Sequence, residues 1–429
     1  MKRVLIVTPN WPPISCPDLH RARMALPYFA ECGWEPLILK IDPDEQEGMR
    51  DPTLCATVPA GTRTWQAGAV PLRWTAWLGL RSVGLRSFFH LARLGSRIIR
   101  EEKPAVVFFS TTLFPVMVLG RYWKWRHGVP YVLDYQDPWR QEGGRDDRSP
   151  PLPLKQRLSL AMAALLEPLA LRGVGHIVSV SPQYPVTLAG RYPWLRPQDF
   201  TVLPFGAAEG DFALLPTLGV RQSIFSRADG KRHWVYVGRG GADMAFAARA
   251  FFLALRDARQ AAPSRYENLA VHFIGTDYAP EERSRKTIAP IAGECGVGDL
   301  VEEVPRRIPY FEALCCLQDA DALIVLGSDD SGYTASKIYP YILAGKPLLA
   351  IFHEKSSVVE LVRATRSGVM VTFNGSSARE AIAAEIGARW FGDAGARGVD
   401  TDWNAFAPCT ARQMTRRLCR IFDTLTAAR

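Results

Sequence analysis

Short unbroken runs of Val, Ile, Leu and Phe alternate with helix-length segments along this chain, and the series begins twice. In the first half, "RVLIVTP", "EPLILKI", "AVVFFST", "YVLDY", "HIVSVS" and "FTVLP" read as strands. "DLHRARMALPYFAECG", "LFPVMVLGRYWKWRHG" and "KQRLSLAMAALLEPLALRG" read as helices between them. A strand apolar on both sides must be covered on both sides, and helical crossovers make its neighbours parallel. After Pro204 the series restarts with "HWVYVG", "ADMAFAARAFFLALRDARQ" and "LAVHFIGT". It continues through the helical "EERSRKTIAPIAGECG", then "LVEEVP", "YFEALCCLQDA" and "ALIVLG". The expected fold class is α/β, with two doubly wound, Rossmann-like parallel sheets. Residues 1–205 form the expected N-terminal domain, 206–232 an irregular linker and 233–402 the C-terminal domain. Residues 403–429 read as a helix with Leu418, Ile421, Phe422 and Leu425 on one face, expected to pack back on the N-terminal domain. Ligands of open α/β sheets gather at the carboxyl ends of the strands, so two such sheets are expected to face a cleft.

Length and charge agree with that division. A chain of 429 residues is too long for one ordinary core. Nearly all of the net charge of +9 falls early: residues 1–205 hold 25 Lys and Arg against 17 Asp and Glu. That excess suggests an anionic partner for the first domain. The eight cysteines form no CxxC pair and no zinc spacing, and the apolar run Val4–Val7 is too short for a signal peptide. A reducing cytoplasm is the expected location. The longest uncharged stretch, Pro104–Gly120, contains Ser110, Thr111, Thr112 and Pro115 and is shorter than a membrane-spanning helix.

The stretch "GSDDSGYTASKIYPYILAGKPLLA", Gly327–Ala350, reads as a strand end, a polar loop, a helix and a further strand. Thr334 or Ser336 is a good N-cap, and Gly345 followed by Pro347 a good stop. Free N–H groups and the helix dipole would favour an anion there. Lys337 in the first turn is disfavoured by the dipole alone, which points to an anionic ligand or an acidic neighbour. Pro340 costs little if Ser336 is the cap and should kink the helix if Thr334 is. Tyr339 and Tyr341 beside it can stack on a base or simply pack.

These segments together resemble a GT-B-fold glycosyltransferase of the retaining, family-four type, over nearly the whole chain. The resemblance is carried by "VLIVTPNWPP", "VPYVLDYQDPW", "VLPFGAAEGDF", "VYVGRGG" and "SKIYPYILAGKPLLA", in that order. It implies a nucleotide-sugar donor held mainly by the second domain and a saccharide or lipid-linked acceptor held mainly by the first. It assigns the donor phosphates to Arg239, Gly240, Gly241, Gly332, Tyr333, Thr334, Ser336 and Lys337. No cofactor and no metal are expected, because fixed positive groups neutralise the leaving diphosphate. Asp329 and Asp330 then read as loop-ordering residues.

The chain also departs from that family. Two Glu eight residues apart are usual at the donor site, and the matching positions here are Gly332 and Pro340. The usual cleft His falls at Gln136, and "GRGGADM" lacks the lysine that follows the phosphate-loop arginine. A subgroup with "DxxDPW" and "YTASKxYPY" signatures is more similar, which favours a coherent variant over decay. Asp137 and Gln136 are the candidate catalytic residues, with Asp137 orienting an acceptor hydroxyl or contacting the donor sugar. In the front-face mechanism a departing phosphate oxygen takes the acceptor proton, so a missing His is tolerable. Ser15, Asp18, Arg21, Trp139, His353 and Glu354 are the further candidates, by their places in strand-end loops. Arg21 can reach a phosphate or an acidic acceptor, and His20 reads as a packing residue.

Residues 73–100 carry six Arg and no acid, with Trp74, Trp77, Phe88, Phe89, Leu91 and Leu94 among them, and "RYWKWRHG" lies nearby. Such a segment suits an anionic membrane surface, giving peripheral attachment to the inner face. No nucleic-acid module is visible. The expected function is a glycosyltransferase of cell-surface polysaccharide or glycolipid assembly. Two alternatives stay open: a non-catalytic nucleotide-sugar-binding subunit, and a sugar-nucleotide epimerase of the same fold.

Overall fold

The computed structural model describes residues 1–76, 81–140, 153–279, 281–330, 333, 335–392 and 400–427. Gly332 and Thr334, both expected to bind phosphate, lie outside the described residues. The chain divides into two compact units: Met1–Gly206 together with Ala411–Arg429, and Ala207–Thr410.

The first unit is built on seven strands: β1 (Lys2–Val7), β2 (Trp34–Ile41), β3 (Arg63–Ala67), β4 (Val106–Ser110), β5 (Tyr131–Tyr135), β6 (His176–Ser179) and β7 (Phe200–Val202). They run parallel in the order β3-β2-β1-β4-β5-β6-β7. Leu5 of β1 lies opposite Leu37 on one side and Val107 on the other. The sequence pattern passed over β3, whose "RTWQA" is largely polar because an edge strand is only half covered. Successive side chains alternate between the faces. Leu5, Val7, Phe109 and Leu133 face helices α2 (Phe88–Glu102), α3 (Val118–His127) and α4 (Leu154–Leu171). Val4, Ile6, Phe108 and Val132 face α1 (His20–Ala25) and the C-terminal helix Ala411–Ala427. Phe422 of that last helix meets the Phe29, Trp34 and Phe108 rings at 6.5, 5.4 and 5.6 Å. The long helix expected over "DLHRARMALPYFAECG" is broken into α1 and short 3-10 turns, one of them at Leu26–Tyr28, where Pro27 offers no N–H.

The second unit has β8 (Arg232–Val237), β9 (Leu269–Ile274), β10 (Val301–Val304), β11 (Ala322–Leu326), β12 (Leu348–His353) and β13 (Val369–Phe373). They run parallel in the order β10-β9-β8-β11-β12-β13. Phe251, Phe252, Phe273, Leu326 and Ile351 share its core. The expected linker 206–232 is not irregular throughout: it contains helix α5 (Glu209–Leu218), and from Ala207 onward it belongs to this unit. Pro216 near its end disguised a helix that its acidic first turn and Gly219 stop otherwise announce. Helices α6 (Ala245–Ala261), α7 (Ala289–Glu294) and α8 (Ile338–Leu343) follow. The helix expected over "EERSRKTIAPIAGECG" shrinks to a 3-10 turn and α7.

Each sheet grows in both directions from its first strand. Its topological switch point therefore falls between β1 and β4 in one unit and between β8 and β11 in the other. In open α/β sheets of this kind, ligands bind outside the carboxyl ends of the strands at the switch point.

Candidate functional site

In the second unit, the loop after β8 and the segment before α8 come together at the switch point. Lys337 Nζ donates to the Tyr236 hydroxyl and lies 4.3 Å from the centre of that ring. The Tyr236 hydroxyl in turn donates to the Arg239 carbonyl at 2.6 Å. Lys337 forms no ion pair with a carboxylate among the described residues. Burial pulls its ammonium group down to about 7, the Arg239 charge adds to this, and Asp243 opposes it. Arg239 forms a two-pronged pair with Asp243, Nη1 to Oδ1 at 2.9 Å and Nη2 to Oδ2 at 2.6 Å. Its guanidinium sits 4.8 Å from the Tyr333 ring centre. The Arg239 hydrogen bond holds the Asp243 carboxyl below its ordinary range, against burial. The two cations thus stand at the carboxyl end of this sheet, with no carboxylate paired to Lys337 among the described residues. This arrangement suits a diphosphate.

Glycine makes that approach feasible. Gly238 has φ +154°, and a Cβ there would stand 3.0 Å from Lys337 Cδ and 3.1 Å from Nζ. A Cβ on Gly240 would stand 2.5 Å from Thr287 Oγ1. The Gly240 N–H, expected to face phosphate, instead donates to the Thr276 carbonyl at 2.7 Å. It thereby ties the loop after β8 to the one after β9. Gly241, at φ +137°, turns the chain toward α6. Buried Glu303 braces the neighbouring loop, accepting from Thr276 Oγ1 and from the N–H groups of Thr287, Ile288 and Ala289 at the start of α7.

Helix α8 is shorter than the sequence pattern suggested. Its N-cap residue is Lys337, without a side-chain cap bond, so Ser336 is an exposed turn residue before it rather than the cap. Pro340 falls in the first turn, where its missing N–H has no intrahelical acceptor anyway, and no kink results. With six residues, α8 offers little dipole, and the cations carry the anion preference instead. Tyr341 is scaffold: its hydroxyl donates to the Val237 carbonyl at 2.9 Å and accepts from the Val237 N–H at 2.6 Å. Tyr333 is tied by its carbonyl to the Ser356 hydroxyl at 3.4 Å. His353 ends β12, its ring edge-on to Phe373 at 5.9 Å and its Nδ1 accepting from the Lys355 N–H. Glu354 is exposed and accepts from Asn374 Nδ2 at 3.2 Å.

In the first unit the switch point is filled by a polar knot. Buried Asp18 accepts from Asn10 Nδ2 at 3.0 Å, the Thr112 N–H at 3.0 Å and the Thr111 hydroxyl at 3.2 Å. It thus joins the loops after β1 and β4. Arg21 is fully buried and pairs with Asp134 at 2.7 Å. It also donates to the Leu203 carbonyl at 2.7 Å and stacks over Phe205 at 4.8 Å. The expectation that it reaches a phosphate is therefore corrected, because its guanidinium is turned into the sheet. Burial pushes the Asp134 carboxyl up, against the attraction of Arg21 and the hydrogen bonds from Gln136, Arg21 and Ser110. Gln136 Nε2 donates to Asp134 at 2.7 Å, Ser110 Oγ at 3.1 Å and the Asp18 carbonyl at 3.1 Å. Those bonds place Gln136 in the knot. Asp137 differs: it is exposed, and its carboxylate has no hydrogen-bond partner among the described residues. Partial desolvation and then the Asp18 charge hold its carboxyl above the ordinary range. Trp139 stacks on Phe114 at 5.3 Å, and Ser15 is fixed by its N–H to the Met49 carbonyl at 2.8 Å. The residues that sequence reasoning passed over are Asp243, Gly238 and Tyr236. The Arg239–Asp243 spacing of four was the one local signal for them.

Two strand-end sites on two doubly wound sheets define the GT-B fold. Solved structures share it across the whole chain: sucrose-phosphate synthase of Thermosynechococcus elongatus has a TM-score of 0.60 at 14% identity, covering 100% of both chains. Anabaena HepE in complex with UDP and glucose has a TM-score of 0.55 at 14% identity, covering 100% of this chain and 98% of that one. The UDP-N-acetylglucosamine 2-epimerase assigned in Listeria monocytogenes shares the fold as well, with a TM-score of 0.52 at 12% identity over 97% of this chain and 95% of that one. Residues 20–206, which fall in the first unit, match the family model described as a glycosyl transferase 4-like domain. Among curated proteins, none matches the chain by sequence.

Proposed function

We propose that this protein transfers a sugar from a nucleoside-diphosphate sugar to a saccharide or lipid-linked acceptor in the assembly of a surface polysaccharide or glycolipid. The observation that carries the reading is the pair of cations at the second switch point, Lys337 without a carboxylate partner among the described residues and Arg239 beside it. Lys337 and Arg239 bind the diphosphate and stabilise the charge that grows on it as the sugar–oxygen bond breaks, without a metal ion. The acceptor oxygen bonds to the anomeric carbon as that bond breaks, and the acceptor proton passes to the departing phosphate oxygen. The sugar retains its anomeric configuration. Asp137 orients the acceptor hydroxyl. HepE has been crystallised with UDP-glucose, so UDP-sugars are the first donors to try.

The test is calorimetry of the purified protein against UDP, GDP, CMP, ADP and dTDP, with and without magnesium, followed by product analysis with the matching nucleotide-sugar. Saturable binding of one nucleotide, weakened by about 1.5–3 kcal/mol in Arg239→Ala, is expected from the loss of a charged hydrogen bond. Unchanged affinity in that variant refutes the assignment. Gly332 and Pro340, standing where carboxylates are usual, favour the non-catalytic binding subunit as second reading. Nucleotide binding with no sugar transferred to any acceptor, and no epimer formed, would select it.

A further inference from the structure

Helices α2, α3 and α4 lie side by side on one face of the first sheet. Trp123 of α3 donates its Nε1 to the Ala92 carbonyl of α2 at 3.3 Å, and Lys124 donates to the Gly173 carbonyl just past α4 at 2.8 Å. Their outward faces are unusual for helices turned away from a core. Phe89 of α2 is 77% exposed and Trp125 of α3 is 79% exposed. The Tyr122 ring lies 6.4 Å from Trp125. On α4, Leu158, Leu165 and Leu169 are all exposed, at helical spacing, in a row with Ala161 where polar side chains are normal.

The exposed charge around this apolar row is mostly positive, with Glu101 at the end of α2 the exposed acid among the described residues of the three helices. Arg93 and Arg97 on α2, and Arg121, Lys124 and Arg126 on α3, are exposed. None of them forms an ion pair with a carboxylate among the described residues. The acids of the three helices are Glu101, Glu102 and Glu167. Glu102 is paired with Arg3 and Arg63, and Glu167 is buried against Arg191.

We propose that this three-helix face docks on the surface of an anionic lipid bilayer. Trp, Tyr, Phe and Leu side chains projecting from helices flanked by Arg and Lys match the interfacial zone, where rings and alkyl chains enter between headgroups and cations meet phosphates. A second copy of the chain is a poorer occupant. A two-fold contact would set this face against itself and bring unpaired arginines together. The proposal revises the expectation drawn on residues 73–100. Leu91 is in the core, Phe88 and Leu94 pack against it, and Trp77, Leu78 and Leu80 lie outside the described residues. Most of the apolar contact comes from α3 and α4 instead. Attachment is peripheral, since among the described residues no helix is long and apolar enough to cross a membrane.

The test is co-sedimentation of the full-length protein with phosphatidylcholine vesicles and with vesicles that also contain phosphatidylglycerol, at low and high salt. Binding to the anionic vesicles is expected, falling with salt and at least about tenfold weaker on neutral ones. Trp125→Ala with Leu165→Ser, and Arg97→Glu with Arg121→Glu, should each weaken it by about tenfold or more, with the melting temperature and nucleotide binding unchanged. All four side chains are exposed, and the single variants Leu165→Ser and Arg121→Gln give the same comparison if a double variant misfolds. The proposal is overturned if anionic vesicles do not bind the protein, if neutral vesicles bind it equally, or if the variants bind as the parent does. It is equally overturned if sedimentation velocity without lipid shows a dimer that these substitutions dissociate while no vesicle binding occurs.

Discussion

Donor affinity should fall as pH rises, and Lys337 is the reason. Its ammonium group is pulled down to about 7, first by burial, then by the charge of Arg239. At pH 6 about nine-tenths of the lysine is protonated, and at pH 8 about one-tenth. A bound diphosphate brings two negative charges to Nζ and lifts its proton affinity again. Binding therefore takes up a proton wherever the free protein lacks it. Kd for a nucleotide-sugar should rise about tenfold from pH 6 to pH 8, or about 1.4 kcal/mol. The sugar diphosphate is fully esterified and contributes no titration of its own there. Calorimetry in two buffers with different ionisation heats should show an uptake approaching one proton per site at pH 8 and little at pH 6. Lys337→Met should bind more weakly at pH 6 and lose both the slope and the proton. An affinity flat across this range in the parent protein, or the same slope in Lys337→Met, would refute the reasoning. Stability responds in the opposite sense. The unfolded chain holds this proton up to 10.5 and the folded one up to about 7. The folded state carries the full penalty below pH 7 and is relieved of it as pH rises toward 10.5. Lys337→Met should accordingly raise the melting temperature at pH 6.

Three further outcomes follow from the geometry. Arg21→Met leaves the buried Asp134 carboxylate without its cation and should cost about 3–5 kcal/mol in denaturant unfolding, with Arg21→Met/Asp134→Leu recovering part of it. Gly238→Ala places a methyl against Lys337 at a positive φ; it should cost about 1 kcal/mol of stability and weaken nucleotide binding more than it weakens the fold. His272 is buried beside His233, with the rings bonded at 3.0 Å and Asp229 on the far side of His233. Burial, then the His233 charge, pulls its imidazole from 6.5 down to about 4. The unfolded chain binds that proton first, so stability should fall by about 3 kcal/mol as pH drops from 6.5 to 4, and His272→Gln should flatten the decline.

Much of the architecture was legible because it depends on local pattern. Runs such as "VLIV", "AVVFF" and "ALIVL" are apolar at every position, and only a strand covered on both faces tolerates that. The restart after Pro204 announced a second sheet for the same reason. Where the pattern misled, a proline or a polar edge was the cause. Pro216 hid α5, Pro27 broke a helix that looked continuous, and β3 lacks the apolar run of a central strand.

The sites were legible only in outline. Sequence alone determined which loops follow the strands and which cations they carry, so Arg239, Lys337 and Arg21 were all plausible anion ligands. Only the tertiary structure separated them. It spends Arg21 on Asp134, more than a hundred residues away, and turns Gln136 into the same knot. It gives Arg239 to Asp243 and leaves Lys337 with a tyrosine hydroxyl and, among the described residues, no carboxylate. The difference arises because a cation's availability depends on which carboxylate is near it in space. That proximity is set by strand order and sheet packing, and spacing along the chain does not record it. The exposed leucines of α4 make the same point: the apolar pattern of a helix does not record which of its leucines the fold leaves exposed.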